Sequence, residues 1–132
     1  MHGLSIELAL LGWSTVLLLL HVMVEGQTAT RDRGTGWNAG PRDGEAKPLG
    51  VYAGRAARAL RNFQETYPAF VALALALAIA GRTGGSGETG AWLWLIARIV
   101  YLPLYLLGIP YLHSLCWCVS ILGLGLMLAR LL

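Results

Sequence analysis

Apolar runs long enough to cross a bilayer decide what this chain can become. A span needs about 20 consecutive apolar residues, and residues 4–24 form such a run, broken by little beyond Glu7 and small polar residues. No basic stretch precedes the run and no A-x-A-like site follows it. It therefore reads as a retained span and not as a cleaved signal. Further spans are expected at about 53–80, which opens with a charged stretch and continues apolar, and at 91–107 and 112–131. Between them lie a polar loop rich in Gly and Pro at 25–52, a flexible turn at 81–90 (GRTGGSGETG) and a break at Gly108-Ile109-Pro110. The expectation is a single domain over residues 1–132: an all-α integral membrane protein built as a four-helix bundle.

Composition points the same way. Of the 132 residues, 56% are hydrophobic and 13% charged, against about 25% charged in an ordinary soluble domain. With a mean hydropathy of +0.60, the chain is not disordered, and a soluble enzyme is disfavoured. Two cysteines are too few for a disulfide framework.

The basic residues set an orientation. Arg31, Arg33, Arg42 and Lys47 lie in the first loop, with Arg55, Arg58 and Arg61 directly after it, whereas Arg82 and Arg130 fall on the other side. The positive-inside rule puts the first loop and the 108–113 turn in the cytoplasm, with both termini facing away.

Within the second span, Arg55, Arg58, Asn62 and Glu65 recur at steps of three and four, with Arg61 beside Asn62. They share one helical face over roughly 15 Å. Charge at membrane depth is costly, so this face must look into a bundle interior or a wet cavity. Snorkelling to the surface would account for Arg55 and Arg58, but not for the deeper Asn62 and Glu65. The stripe is cationic with one carboxylate, which suits an anionic, peptide-like ligand: guanidinium groups grip carboxylates bidentately, and Glu65 can take an ammonium group or hold an arginine.

In the third span, Arg98, Tyr101 and Tyr105 stand at i, i+3 and i+7, again one face. Arg98 needs a counter-charge, and Glu65 is the natural candidate for a structural ion pair. The tyrosines are either interfacial or, by sharing that face, interior. His113 and Ser114 open the fourth span next to a helix N-terminus, where an anion is favoured; His113 reads equally as an interfacial residue. Pro68 and Pro103 are expected to kink their helices.

The segments RAARALRNFQETYP and RIVYLPLYLLGIPYLHSLCW resemble the MAPEG family, the membrane-associated proteins of eicosanoid and glutathione metabolism, and most of all its bacterial branch. The R-x-x-R-N-x-x-E-x-x-P run is the specific signal. The resemblance implies a homotrimer in a bacterial inner membrane, with glutathione as co-substrate bound between subunits near the cytoplasmic face. It implies that Arg58, Arg61, Asn62 and Glu65 hold glutathione from the second span and Tyr101 and Tyr105 from the third. Ser114 would lie close to the thiol, while Arg55 and Arg31 match less firmly. The implied reaction is conjugation of glutathione to a lipophilic electrophile, or reduction of a lipid hydroperoxide. One departure stands out: His113 occupies the place of the arginine credited in the family with stabilising the thiolate. Arginine stays charged, whereas histidine titrates near neutrality. His113 would thus act as a cation or a base, or would leave a protein that only binds.

Other classes fit less well. Cys116 and Cys118 diverge on a helix and read as buried apolar residues, and with His2, His21 and His113 they make no metal-ligand spacing. Basic residues gathered at a membrane surface do not suggest nucleic acid. A small four-span transporter would use a carboxylate in its first span, but Glu7 and Glu25 lie toward its ends. Replacing Glu7 or Glu25 with Gln should abolish efflux of a cationic dye from cells if the chain is a transporter, and leave glutathione binding intact if it is not.

Overall fold

Glycines stand at several helix boundaries: Gly34 and Gly40 follow the first two helices, and Gly50 and Gly85 precede the next two. The computed structural model describes residues 3–132; His2, weighed above with the other histidines, lies outside the described residues. Helix α1 covers Ile6–Arg33, α2 Thr35–Ala39, α3 Val51–Ile79, α4 Ser86–Leu106 and α5 Leu112–Leu131. Among the described residues there is no strand. Ser5 caps α1 by accepting the Leu8 N–H at 3.3 Å, and Glu7 sits in the first turn, where a carboxylate is favoured by the helix dipole.

The first helix is longer than its apolar run. A loop was expected from residue 25, yet α1 continues to Arg33. Nothing between Val24 and Gly34 forbids a helix, since Thr28 and Thr30 return their hydroxyls to the Val24 and Gly26 carbonyls, each at 2.7 Å. Arg31 and Arg33 in the last turn complement its negative end. Gly34, at φ 88°, supplies the left-handed residue that stops it. In the same way α4 begins at Ser86, inside the expected 81–90 turn, with Glu88 in its first turn.

Three helices, α1, α4 and α5, are long and apolar enough to cross a membrane. At 1.5 Å per residue α4 and α5 measure roughly 30 Å, about one hydrocarbon thickness. Helix α3, with 29 residues, is longer than a span requires and carries the charged stripe expected of the second span, so among the described residues it is the one long helix not apolar enough to cross by composition. Helices α3 and α4 run through Pro68 and Pro103.

The helices α4 and α5 form the tightest pair, and α1 lies along α3. Their shared core joins Leu10 and Leu17 of α1, Phe63, Phe70 and Leu77 of α3, Trp94 of α4 and Met127 of α5. The Phe70 and Trp94 rings stack at 3.9 Å and 8°. Away from the 107–111 turn, buried Glu7 accepts the Gly84 N–H at 2.6 Å, while Arg82 donates to the Leu131 carbonyl at 2.7 Å. These bonds tie the α3–α4 turn to both neighbours. The opposite end is left to the polar face of α3.

Candidate functional site

At that end, the N-terminal half of α3, the last two turns of α4 and the first two of α5 enclose a cavity of about 430 Å³. Its lining is Arg58, Arg61, Asn62 and Glu65 from α3, Tyr101 and Tyr105 from α4, and His113, Ser114, Trp117 and Cys118 from α5. Helical periodicity explains each set. Steps of three and four keep 58, 61, 62 and 65 together, a step of four joins 101 to 105, and 113, 114, 117 and 118 form one face of α5.

The α4 wall is aromatic and held from two sides. Tyr101 and Tyr105 stack at 5.5 Å and 18°, and the His113 ring stands edge-on to both, 5.9 Å from Tyr101 and 5.0 Å from Tyr105. Arg58 Nε donates to the Tyr105 hydroxyl at 3.1 Å. That bond fixes one guanidinium and leaves its remaining donors free. Arg61, Glu65, Ser114 and Cys118 are exposed, so the cavity opens sideways between α3 and α5.

Arg98 is placed behind the cavity and not in it. It is fully buried, and its partner is Asn62, whose Oδ1 accepts from Nη1 at 2.8 Å. The expected Arg98–Glu65 ion pair is absent among the described residues. Glu65 lies one helical step beyond Asn62, is exposed and lines the cavity, outside ion-pair distance of the buried Arg98. In place of a counter-charge, Arg98 lies over the Tyr101 ring at 4.3 Å and within 5.4 Å of the Phe63 centroid, an attraction that a buried cation gains from aromatic faces.

Two arginines named from sequence are elsewhere. Arg55 Nη1 donates to the Leu106 carbonyl at 3.1 Å, satisfying the C-terminal end of α4 where a cation belongs. Gly108, at φ 71°, leaves room for it; a Cβ there would fall 2.5 Å from an Arg55 nitrogen. Arg31 lines separate clefts, one with Gln27, Thr30 and Asn38 and another with Asp32 and Tyr52.

Trp117 and Cys118 were not anticipated. Cys118 is exposed and lines the cavity, while Cys116 is half-buried against Tyr101 and Leu102; reading both as buried apolar residues was wrong for Cys118. The signal was available, since 117 and 118 follow Ser114 at three and four residues.

The cavity is chemically lopsided. Two guanidinium groups face one carboxylate, with an amide, two phenols, an imidazole and a hydroxyl between them, and the Trp117 ring closes one side. Such a site can hold a small anion that also bears one cationic group, and it can place hydroxyl and imidazole donors beside a reacting atom.

Compared with known families, residues 10–132 match the model of the MAPEG family. No curated protein and no solved structure matches the chain.

Proposed function

The chain belongs to the MAPEG family, and from that premise we propose that it is a membrane-embedded glutathione transferase or peroxidase that uses the α3–α4–α5 cavity. Family membership and three apolar helices make it an integral membrane protein, of a family associated with glutathione. The observation that carries the reading is the convergence of Arg58, Arg61, Asn62, Glu65, Tyr101, Tyr105, His113 and Ser114 on one cavity. Two guanidiniums against one carboxylate complement a tripeptide that carries two carboxylates against one ammonium. The cavity volume lies within the usual range for small-ligand sites, about 300–1,000 Å³.

In this reading Arg58, Arg61 and Asn62 hold the carboxylates and peptide oxygens, and Glu65 the ammonium. His113 and Ser114, in the first turn of α5, take up the thiol proton or stabilise the sulfur anion. A free thiol has a pKa near 8.5, so only a few per cent is thiolate at pH 7. Lowering it by about two units, worth roughly 2.7 kcal/mol, makes most of it nucleophilic. In conjugation the sulfur forms a bond to the electrophilic carbon as the leaving group departs. In the peroxidase reaction two glutathiones give up two electrons and two protons to a hydroperoxide, yielding an alcohol, water and glutathione disulfide. A lipophilic substrate dissolved in the bilayer would reach the sulfur laterally, between helices.

The homotrimer that the family resemblance implies fits the exposed α3–α5 side. Exposed Glu65 lies roughly 21 Å along α3, deep enough that bare lipid would penalise it; a second copy covering that side would relieve this cost. Arg31, remote from its own cavity, would then be available to a neighbour's. The positive-inside rule supports a cavity on the cytoplasmic side, and the resemblance to the bacterial branch supports a bacterial inner membrane.

The test is the ultraviolet thiolate band of glutathione mixed with detergent-purified protein across a pH series. The band is expected well below the free thiol's pKa and is lost in Arg61→Ala, whose glutathione affinity falls by about tenfold or more, the scale of one charge-assisted contact. Calorimetric binding without a band would mean that His113 does not replace the activating arginine and that the protein only binds. No binding would end the glutathione reading.

A further inference from the structure

A buried guanidinium offers only donors, and this fixes the side chain in front of it. Arg98 Nη1 donates to Asn62 at 2.8 Å, so the atom it meets must be the amide oxygen and not the nitrogen. Asn62 is half-buried and lines the cavity, and nothing among the described residues accepts from its Nδ2. Its two N–H donors are therefore turned to the ligand side. Arg98 also lies 4.3 Å from the Tyr101 ring, a second lining residue, so it backs the cavity through two side chains without touching its space.

The cost of keeping it is visible. Arg98 is fully buried, and its Nε and Nη2 have no partner, whereas an apolar residue there would leave no orphaned donor. An unpaired buried cation is a poor structural device, which directs attention to what it does for Asn62.

We propose that Arg98 is a positioning residue that locks Asn62 as a donor toward the cavity, making the pair a reader of one specific carboxylate of the bound tripeptide. This rests on the glutathione reading and deepens it by naming what position 62 recognises. A free amide can turn either end to a ligand and accepts a carboxamide as readily as a carboxylate. A locked one, with a cation behind it, favours the carboxylate.

The experiment compares glutathione with its two mono-carboxamides, one at each carboxylate, by calorimetry in detergent on the intact protein and its variants. The unaltered protein should bind both amides at least about tenfold more weakly than glutathione. In Arg98→Met one of the two penalties should fall to about threefold or less while the other, read by Arg58 and Arg61, persists. The melting temperature should stay within about 3 °C, because an apolar side chain in place of an unpaired buried charge is often neutral. Arg98→Lys, again a donor-only cation, should restore the penalty.

Asn62→Asp gives an independent reading should Arg98→Met not fold. One carboxylate oxygen stays on Arg98 and the other faces the cavity, so the preference should reverse, with the affected carboxamide binding more tightly than glutathione. Unchanged penalties in Arg98→Met, or an Asn62→Asp protein that still prefers glutathione, would overturn the assignment while leaving the glutathione reading intact. Failure of the unaltered protein to bind glutathione would overturn both.

Discussion

Gly123→Ala should cost this protein about 2–3 kcal/mol of stability, the upper range for forcing extra atoms into a packed interface. Gly125→Ala, two residues on, should cost nothing. A Cβ on Gly123 would stand 2.5 Å from the Gly90 carbonyl oxygen and 2.8 Å from the Trp94 backbone nitrogen. Both are backbone atoms of α4, which cannot rotate aside as a side chain can. On Gly90 a Cβ would meet the Gly123 carbonyl in turn. The pair lets two helix backbones touch, the way small residues drive helix association where lipid offers no hydrophobic force. Separating α4 and α5 would also loosen Trp94 and Met127, which are fully buried at this crossing. A Cβ on Gly125 meets nothing within 4 Å, and alanine there should gain the ~0.5–1 kcal/mol that glycine loses in a helix. Thermal melts in detergent followed by circular dichroism would check the contrast. Equal melting of the two variants would mean that α4 and α5 do not approach this closely. Because α4 carries Tyr101 and Tyr105 and α5 carries His113 and Ser114, the Gly123 variant should lose glutathione binding as well.

The parts of the site that were legible in sequence were those written as periodicity on one helix. Arg58, Asn62 and Glu65 share a face whatever the tertiary packing, as do Tyr101 and Tyr105, and all five line the cavity. Pairings between helices were not legible. Glu65 was the only interior carboxylate near Arg98 in composition, but which side chain faces a neighbour depends on helix rotation, and rotation brought Asn62 to Arg98. Arg55 belongs to the stripe by spacing, yet it sits one turn nearer the helix end, where the Leu106 carbonyl takes it. Helix α1 outlasted its apolar run because hydropathy reports where lipid lies and not where the helix stops. Cys118 was passed over because its residue type suggested burial, although its spacing from Ser114 placed it on the cavity face.

His113→Arg should make glutathione activation stronger near neutral pH and less dependent on pH. The imidazole lines the cavity edge-on to Tyr101 and Tyr105, and a guanidinium can take that place by stacking on the same rings. Arginine keeps its charge at any working pH, so it offers the sulfur a permanent cation. A cation that is always present would lower the thiol's pKa by about one unit, and each unit is tenfold in thiolate while the thiol is mostly protonated. The thiolate band of the variant should therefore reach its plateau about one pH unit earlier, with its roughly tenfold gain confined to pH values where the thiol of the unaltered protein is still mostly protonated. Conjugation rates with an aromatic electrophile should rise in parallel, provided that attack by sulfur limits turnover. A weaker band together with a fall in rate would show that His113 works as the base that removes the thiol proton, a task no arginine can perform. An unchanged band would place residue 113 away from the sulfur and leave Ser114 as the group beside it. His113→Ala separates these cases further: a lost cation and a lost base both weaken the band, but only the lost base should recover rate on adding free imidazole as an external proton acceptor.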